Sequence, residues 1–158
     1  MQLNTTRFGT IEVDEGAVIT FTQPIIGFQE YRRFLLLSGP DDSVVRWLQS
    51  TERGDLAFLV MNPRTVFPDY RAELRPDELR ELSVSDSAEL DIYTLVVVPQ
   101  DRTQVRTNLK APILISPRQR LAKQTILDKS DYPIQYYLAQ GQQGGQEHRE
   151  DGNARTDA

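Results

Sequence analysis

The sequence has no cysteine and a single histidine, and these two scarcities remove much of the chemistry a small protein could carry. Without cysteine there is no disulfide framework, thiolate zinc site, iron–sulfur cluster or cysteine nucleophile. His148 lies in Gly144-Gly145-Gln146-Glu147-His148-Arg149-Glu150-Asp151-Gly152, where nothing apolar exists to pack it, so Ser-His-Asp triads and histidine metal sites are not expected. Residues 1–138 hold only Gly9, Gly16, Gly27, Gly39 and Gly54, none clustered, and the G-x-G-x-x-G, G-x-x-x-x-G-K-[ST] and G-x-S-x-G signatures are missing. No apolar run approaches the ~20 residues of a membrane-spanning helix. Positive charge is also short: 18 basic against 23 acidic residues give a net charge of -5, whereas a nucleic-acid binder presents a basic footprint to phosphates.

The acids that are present do not assemble into a reactive pattern. Asp41-Asp42 falls in a Gly-Pro turn and Asp77-Glu78 at a helix start, while Asp55, Asp69, Asp86, Asp91 and Asp101 lack the spacing of an oxygen-ligand loop. No catalytic, metal or cofactor site is expected. The opening Met1-Gln2-Leu3-Asn4-Thr5-Thr6-Arg7 shows neither a basic-then-apolar pattern nor a small-residue cleavage site, so a cytoplasmic location is expected.

At 158 residues the chain suits one domain, and its composition breaks near residue 139. Residues 139–158 contain no Val, Ile, Leu, Met, Phe, Trp or Tyr, so they cannot offset their ordering entropy and are expected to form a disordered polar tail. That tail carries two basic and four acidic residues, which leaves residues 1–138 at a net -3. The body itself is acidic.

Within the body the dominant period is two. Thr10-Ile11-Glu12-Val13-Asp14 and Val18-Ile19-Thr20-Phe21 predict half-buried strands, with Ile11, Val13, Ile19 and Phe21 on inward faces. Phe34–Leu37, Val44–Gln49, Ala57–Met61 and Leu90–Val98 are short apolar runs bounded by turn residues such as Ser38-Gly39-Pro40, Arg53-Gly54-Asp55, Asn62-Pro63 and Pro99-Gln100-Asp101. This spacing predicts a mainly β fold, an antiparallel sheet curled into a small barrel. Pro76-Asp77-Glu78-Leu79-Arg80-Glu81-Leu82 predicts one short helix, with proline and two acids at its exposed N–H groups.

Aromatic and basic residues are weighed the same way. Tyr132, Tyr136 and Tyr137 are expected to clamp the end of the body onto the sheet, and Trp47 to lie in the core. Arg118, Arg120 and Lys123 form the one basic cluster, read as a charged hairpin on a solvated face or, alternatively, a docking patch for an acidic partner.

An ordered set of short blocks resembles the FliW family of bacterial flagellar assembly factors: Phe8-Gly9-Thr10-Ile11, Ile19-Thr20-Phe21 leading to Gly27-Phe28, Trp47-Leu48-Gln49-Ser50, Ala57-Phe58, Asn62-Pro63 and Asp69-Tyr70. Downstream, Asn108-Leu109-Lys110-Ala111-Pro112-Ile113, Arg118, Arg120, Lys123-Gln124-Thr125-Ile126-Leu127 and Tyr132-Pro133-Ile134 continue it, so the resemblance spans about residues 2–138. Ser116 stands where the family pattern has Asn, and Gln23-Pro24-Ile25-Ile26 replaces its commoner turn before Gly27. The resemblance implies a monomeric, barrel-like, non-enzymatic binding protein without cofactors. Its implied partners are flagellin before export and CsrA, an RNA-binding translational repressor that the protein captures once flagellin has left. A hydrolase or sugar-modifying enzyme and an RNA-binding barrel are the competing classes; neither an inward carboxylate pair nor a basic aromatic face supports them. Candidate partner contacts are the acids Glu73, Asp77, Glu78 and Glu81 around the helix, with Asp86, Glu89 and Asp91 after it. Asn108, Lys110, Pro112, Arg118, Arg120 and Gln124 complete the set, with Asn108 and Pro112 expected to hold a strand corner.

Overall fold

A computed structural model of the chain describes residues 1–39 and 44–139 and is mainly β. The expected tail lies, from residue 140 onward, outside the described residues. β1 (Gln2–Thr5) and β2 (Gly9–Glu12) form a separate antiparallel hairpin, turned by Gly9 at φ 69°, a left-handed conformation glycine reaches without steric cost. They are followed by β3 (Ile19–Phe21), β4 (Arg33–Ser38), β5 (Val45–Ser50), β6 (Ala57–Met61), helix α1 (Pro76–Glu81), β7 (Asp91–Val97), β8 (Arg106–Thr107), β9 (Ile113–Ser116), β10 (Leu121–Gln124) and β11 (Tyr136–Tyr137). The strands over 33–38, 45–50, 57–61 and 91–97 fall on the apolar runs that predicted them, and α1 on its proline-led segment. The structure adds short 3₁₀ turns, as at Ser87–Glu89 and Arg102–Gln104.

β3 to β7 make an antiparallel meander. The first half of β7 then takes β9 (Asp91 opposite Ile115), β9 pairs with β10, and β10 runs parallel to β3 (Leu121 opposite Thr20). That parallel contact closes a barrel of seven strands, β3-β4-β5-β6-β7-β9-β10, which leaves the ring itself without free edges. Inward side chains fill it: Ile19, Phe21, Phe34, Leu48, Val60 and Ile113 are all buried, with Phe21 and Phe34 edge to face at 5.2 Å.

Beyond β9, the second half of β7 carries a small extension. Val96 lies opposite Thr107 of β8, and Thr107 opposite Tyr136 of β11. One face of this extension packs on Tyr70, Leu109 and Phe67, with Tyr132 stacked on Tyr70 at 4.6 Å and Tyr136 5.7 Å from Phe67. Tyr132 and Tyr136 therefore clamp the chain's end as expected, whereas Tyr137 lies outside that cluster.

Four side chains lie elsewhere than the pattern placed them. Ile11 and Val13 do not join Ile19 and Phe21 inside the barrel; they pack with Val18 and Leu35 under the hairpin, because β2 belongs to a separate two-stranded sheet. Trp47 alternates with the inward Leu48 and so sits half-buried on the outer face of β5, with the Arg7 guanidinium 3.9 Å over its ring and Phe8 edge-on at 6.3 Å. Lys123 does not share a solvated face with Arg118 and Arg120: it is 5% exposed beneath α1.

Candidate functional site

α1 begins with Pro76, whose missing N–H costs nothing at a helix start, and the Glu78 carboxylate turns back to accept from the Arg75 N–H at 3.1 Å. This fold-back puts Glu78 on the underside of the helix, where it is 3% exposed. There it accepts from the Thr125 hydroxyl in a short hydrogen bond and lies 3.5 Å from the Lys123 ammonium. Glu81, one turn on, accepts from Lys123 at 3.1 Å, Thr22 at 2.7 Å and Gln23 at 3.1 Å. One buried lysine and two carboxylates thus tie α1 to β10 and to the end of β3. Burial pushes both carboxyls up, but the bonds from Thr125 and the Arg75 N–H with the nearby Lys123 charge outweigh it for Glu78, and the bonds from Thr22 and Lys123 for Glu81, holding each below the ordinary glutamate value.

The remaining acids around the helix face solvent. Glu73, Asp77, Asp86 and Glu89 are exposed; Asp77 pairs loosely with Arg75 at 3.5 Å, while Glu89 accepts from the Ser85 and Asp86 N–H groups. Glu73 and Glu78 line a cleft of about 660 Å³ between the segment leading into α1 and residues 125–133, walled on its apolar side by Phe67, Leu74, Ile126 and Tyr132. Ile126 is 49% exposed there. Its neighbours on either side, Thr125 and Leu127, are both buried.

The Asn108–Pro112 block is the excursion by which the chain leaves β8 and returns to β7 as β9. The Asn108 carboxamide oxygen accepts from the N–H groups of Lys110 and Ala111, at 3.0 and 3.2 Å. Lys110 donates to the Ser130 carbonyl at 3.0 Å, which fixes one wall of the cleft, and the buried Pro112 offers its carbonyl to Thr125 N–H at 3.0 Å. Gln124 bridges two loops, accepting from Ile26 N–H at 3.0 Å and donating to the Ala111 carbonyl at 3.1 Å. Lys110 and Pro112 thus hold residues that line the cleft, while Gln124 ties together loops outside it. Arg118 and Arg120 belong to another surface, the turn joining β9 to β10; Arg120 takes a left-handed φ of 58° there and lines a second hollow of about 390 Å³ with Arg46 and Asp91.

Residues 2–138 match the family model described as FliW protein. The chain is 34% identical over 139 residues to the flagellar assembly factor FliW of Ruminiclostridium cellulolyticum, covering 87% of this chain and 94% of that one. It is 40% identical over 139 residues to the flagellar assembly factor FliW of Natranaerobius thermophilus, covering 87% and 92%. A crystal structure of the flagellar assembly factor FliW superposes with a TM-score of 0.81 at 30% identity, covering 87% of this chain and 96% of that one. The chain belongs to the FliW family.

Proposed function

We propose, with that membership as premise, that the chain is a flagellar assembly factor that works by binding: it holds flagellin before export and, when free, captures CsrA and relieves repression of flagellin mRNA. The observation that carries this reading is the family match along residues 2–138. A barrel interior filled by Phe21, Phe34, Leu48 and Ile113 favours a binding surface over a reaction chamber. Acting as a cytoplasmic monomer, the protein would exchange one partner for the other.

The acidity of the body suits this role. CsrA must present cations to RNA phosphates, so an acidic protein docked beside that surface raises the free energy of approaching RNA within a Debye length, about 8 Å at physiological salt. We assign that field to the exposed acids around the helix, among them Glu73, Asp77, Asp86 and Glu89.

The test is a three-component titration. Purified protein added to a CsrA–RNA complex is expected to release RNA, and flagellin added next to restore it, because mutual exclusion is reciprocal in binding free energy. A stable ternary assembly with undiminished affinities would defeat the exchange.

A further inference from the structure

β3 is three residues long and stops short at one end of the barrel, which leaves a gap beside β4. Thr51 N–H donates to the Arg33 carbonyl at 2.9 Å and Phe21 N–H to the Arg32 carbonyl at 2.7 Å. Bonded pairs alternate along antiparallel strands, so the N–H and C=O of Leu36 point away from β5 and toward the line of β3. β3 begins only at Ile19, opposite Phe34, and Ala17, which would meet Leu36, belongs to the 3₁₀ turn Glu15–Ala17 and donates to the Asp14 carbonyl at 2.8 Å. Both main-chain groups of Leu36 are therefore without a partner among the described residues, and Leu36 lines the hollow of about 390 Å³.

The side chains around that gap come from the inward rows of the barrel. Arg46 shares its face of β5 with the buried Leu48, and Asp91 its face of β7 with Tyr93, which packs on the core. Alternation thus turns a cation and an anion into the mouth of the barrel, where Arg120 joins them from the turn before β10. The Arg46 guanidinium donates to the Tyr93 hydroxyl at 3.3 Å, which holds it there. Buried Ile19 and Ile115 form an apolar floor. The Asp14 carboxylate at the rim is engaged by the Gly16 N–H at 2.9 Å, but Arg46, Arg120, Asp91 and Glu12 have no ion-pair partner among the described residues. Charges of both signs line one hollow without meeting.

These groups match one class of small molecule part for part. A carboxylate satisfies the arginines and accepts from the Leu36 N–H, an ammonium donates to the Leu36 carbonyl and balances Asp91, and an aliphatic side chain covers the floor. A plain anion would face Asp91 and leave the Leu36 carbonyl unpaired; a plain cation would face the arginines. The hollow is at the small end of the range for ligand pockets, and the mouth of a β-barrel is a usual place for one.

We propose that this hollow binds a free α-amino acid with an aliphatic side chain. The site lies apart from the acids around α1 and does not depend on the partner exchange proposed above.

The test is an amide NMR titration of the full chain with L-leucine, with thermal unfolding of each variant as the check on folding. Leucine at millimolar concentration is expected to give saturable shifts, the Leu36 amide among the most displaced. Leucinamide lacks the carboxylate, N-acetyl-leucine the ammonium and glycine the apolar group, and each is expected to bind at least tenfold more weakly. Arg46→Met and Asp91→Asn are expected to weaken leucine binding by a similar factor, whereas Arg118→Ala, in the same turn as Arg120 but outside the hollow, stays within twofold of wild type. Should Arg46→Met fail to fold, Arg120→Gly removes a guanidinium at a left-handed position that glycine accepts without strain, and is expected to weaken binding likewise. The absence of saturable shifts overturns the site, as does leucine binding that survives in the folded Arg46 and Arg120 variants. Equal affinity for leucine and N-acetyl-leucine overturns the amino-acid assignment in favour of a simple carboxylate, and equal affinity for leucine and glycine overturns the role of the apolar floor.

Discussion

At the scale of single residues, Asn108 shows how a polar side chain can be a structural part of a loop. Its carboxamide oxygen satisfies two backbone N–H groups at the point where β8 gives way to β9, and no other side chain of that block reaches them. Removing it leaves both donors in a half-buried setting, so Asn108→Ala is expected to lower unfolding free energy by about 1 to 3 kcal/mol. Urea denaturation followed by far-UV circular dichroism checks this. Unchanged stability with lost partner binding would make the residue interfacial instead. This role was legible because Asn favours turn geometry and Pro112 cannot continue a ladder. The fate of Lys123 was not: alternation places it opposite the inward Ala122, but only α1, contributed from elsewhere in the chain, decides that its outward side is covered. Trp47 misled for the complementary reason. An apolar run predicts burial, while the face a strand residue takes depends on its register against Leu48 and on the hairpin that lies over it.

At the scale of elements, α1 is six residues long, too short to persist alone, and is held by what lies beneath it. Leu82, Val84, Leu90 and Leu114 form its apolar seat, and the Glu78–Lys123–Glu81 cluster is its polar lock. Both carboxyls are held below the ordinary glutamate value of 4.5, so the folded state binds protons less readily than the unfolded one. Their contribution is complete above that pH and is lost as the pH falls through it toward the lower folded values. Stability is therefore expected to be flat from neutral pH to about 5 and to decline steeply below about 4.5. Glu78→Gln leaves Lys123 with a single carboxylate, so it should cost about 1 to 3 kcal/mol at neutral pH and make the acid decline shallower. Denaturant midpoints across that pH range provide the measurement, and an identical acid slope in the variant would remove Glu78 from the account. Pro76 and the two acids after it announced the helix in the sequence; the lock was invisible because its lysine comes from β10.

For the whole molecule, strand lengths and turns made a curled antiparallel sheet readable, but its closure was not. The ring is sealed by the parallel contact of β3 with β10, between segments from opposite ends of the folded chain, and a three-residue strand carries no signal of its distant neighbour. The same assembly decides which charges are available to a partner. Glu78 and Glu81 are engaged with Lys123, so neutralising them would perturb α1 before it changed any external field. The field proposed to act on CsrA-bound RNA must come from acids left in solvent, which around the helix are Glu73, Asp77, Asp86 and Glu89, with Asp91 set apart in the hollow beside Arg46 and Arg120. Glu89 and Asp86 also cap a 3₁₀ turn, which leaves Glu73 and Asp77 as the cleaner pair to change. Glu73→Gln with Asp77→Asn is expected to keep the unfolding midpoint and weaken inhibition of RNA binding by a few-fold at low ionic strength, with little effect at high salt, where screening already suppresses charges beyond contact distance. RNA-binding competition at two salt concentrations measures it. An equal loss at both would place these side chains in direct contact with CsrA, and no loss at either would move the source of inhibition from charge to shape.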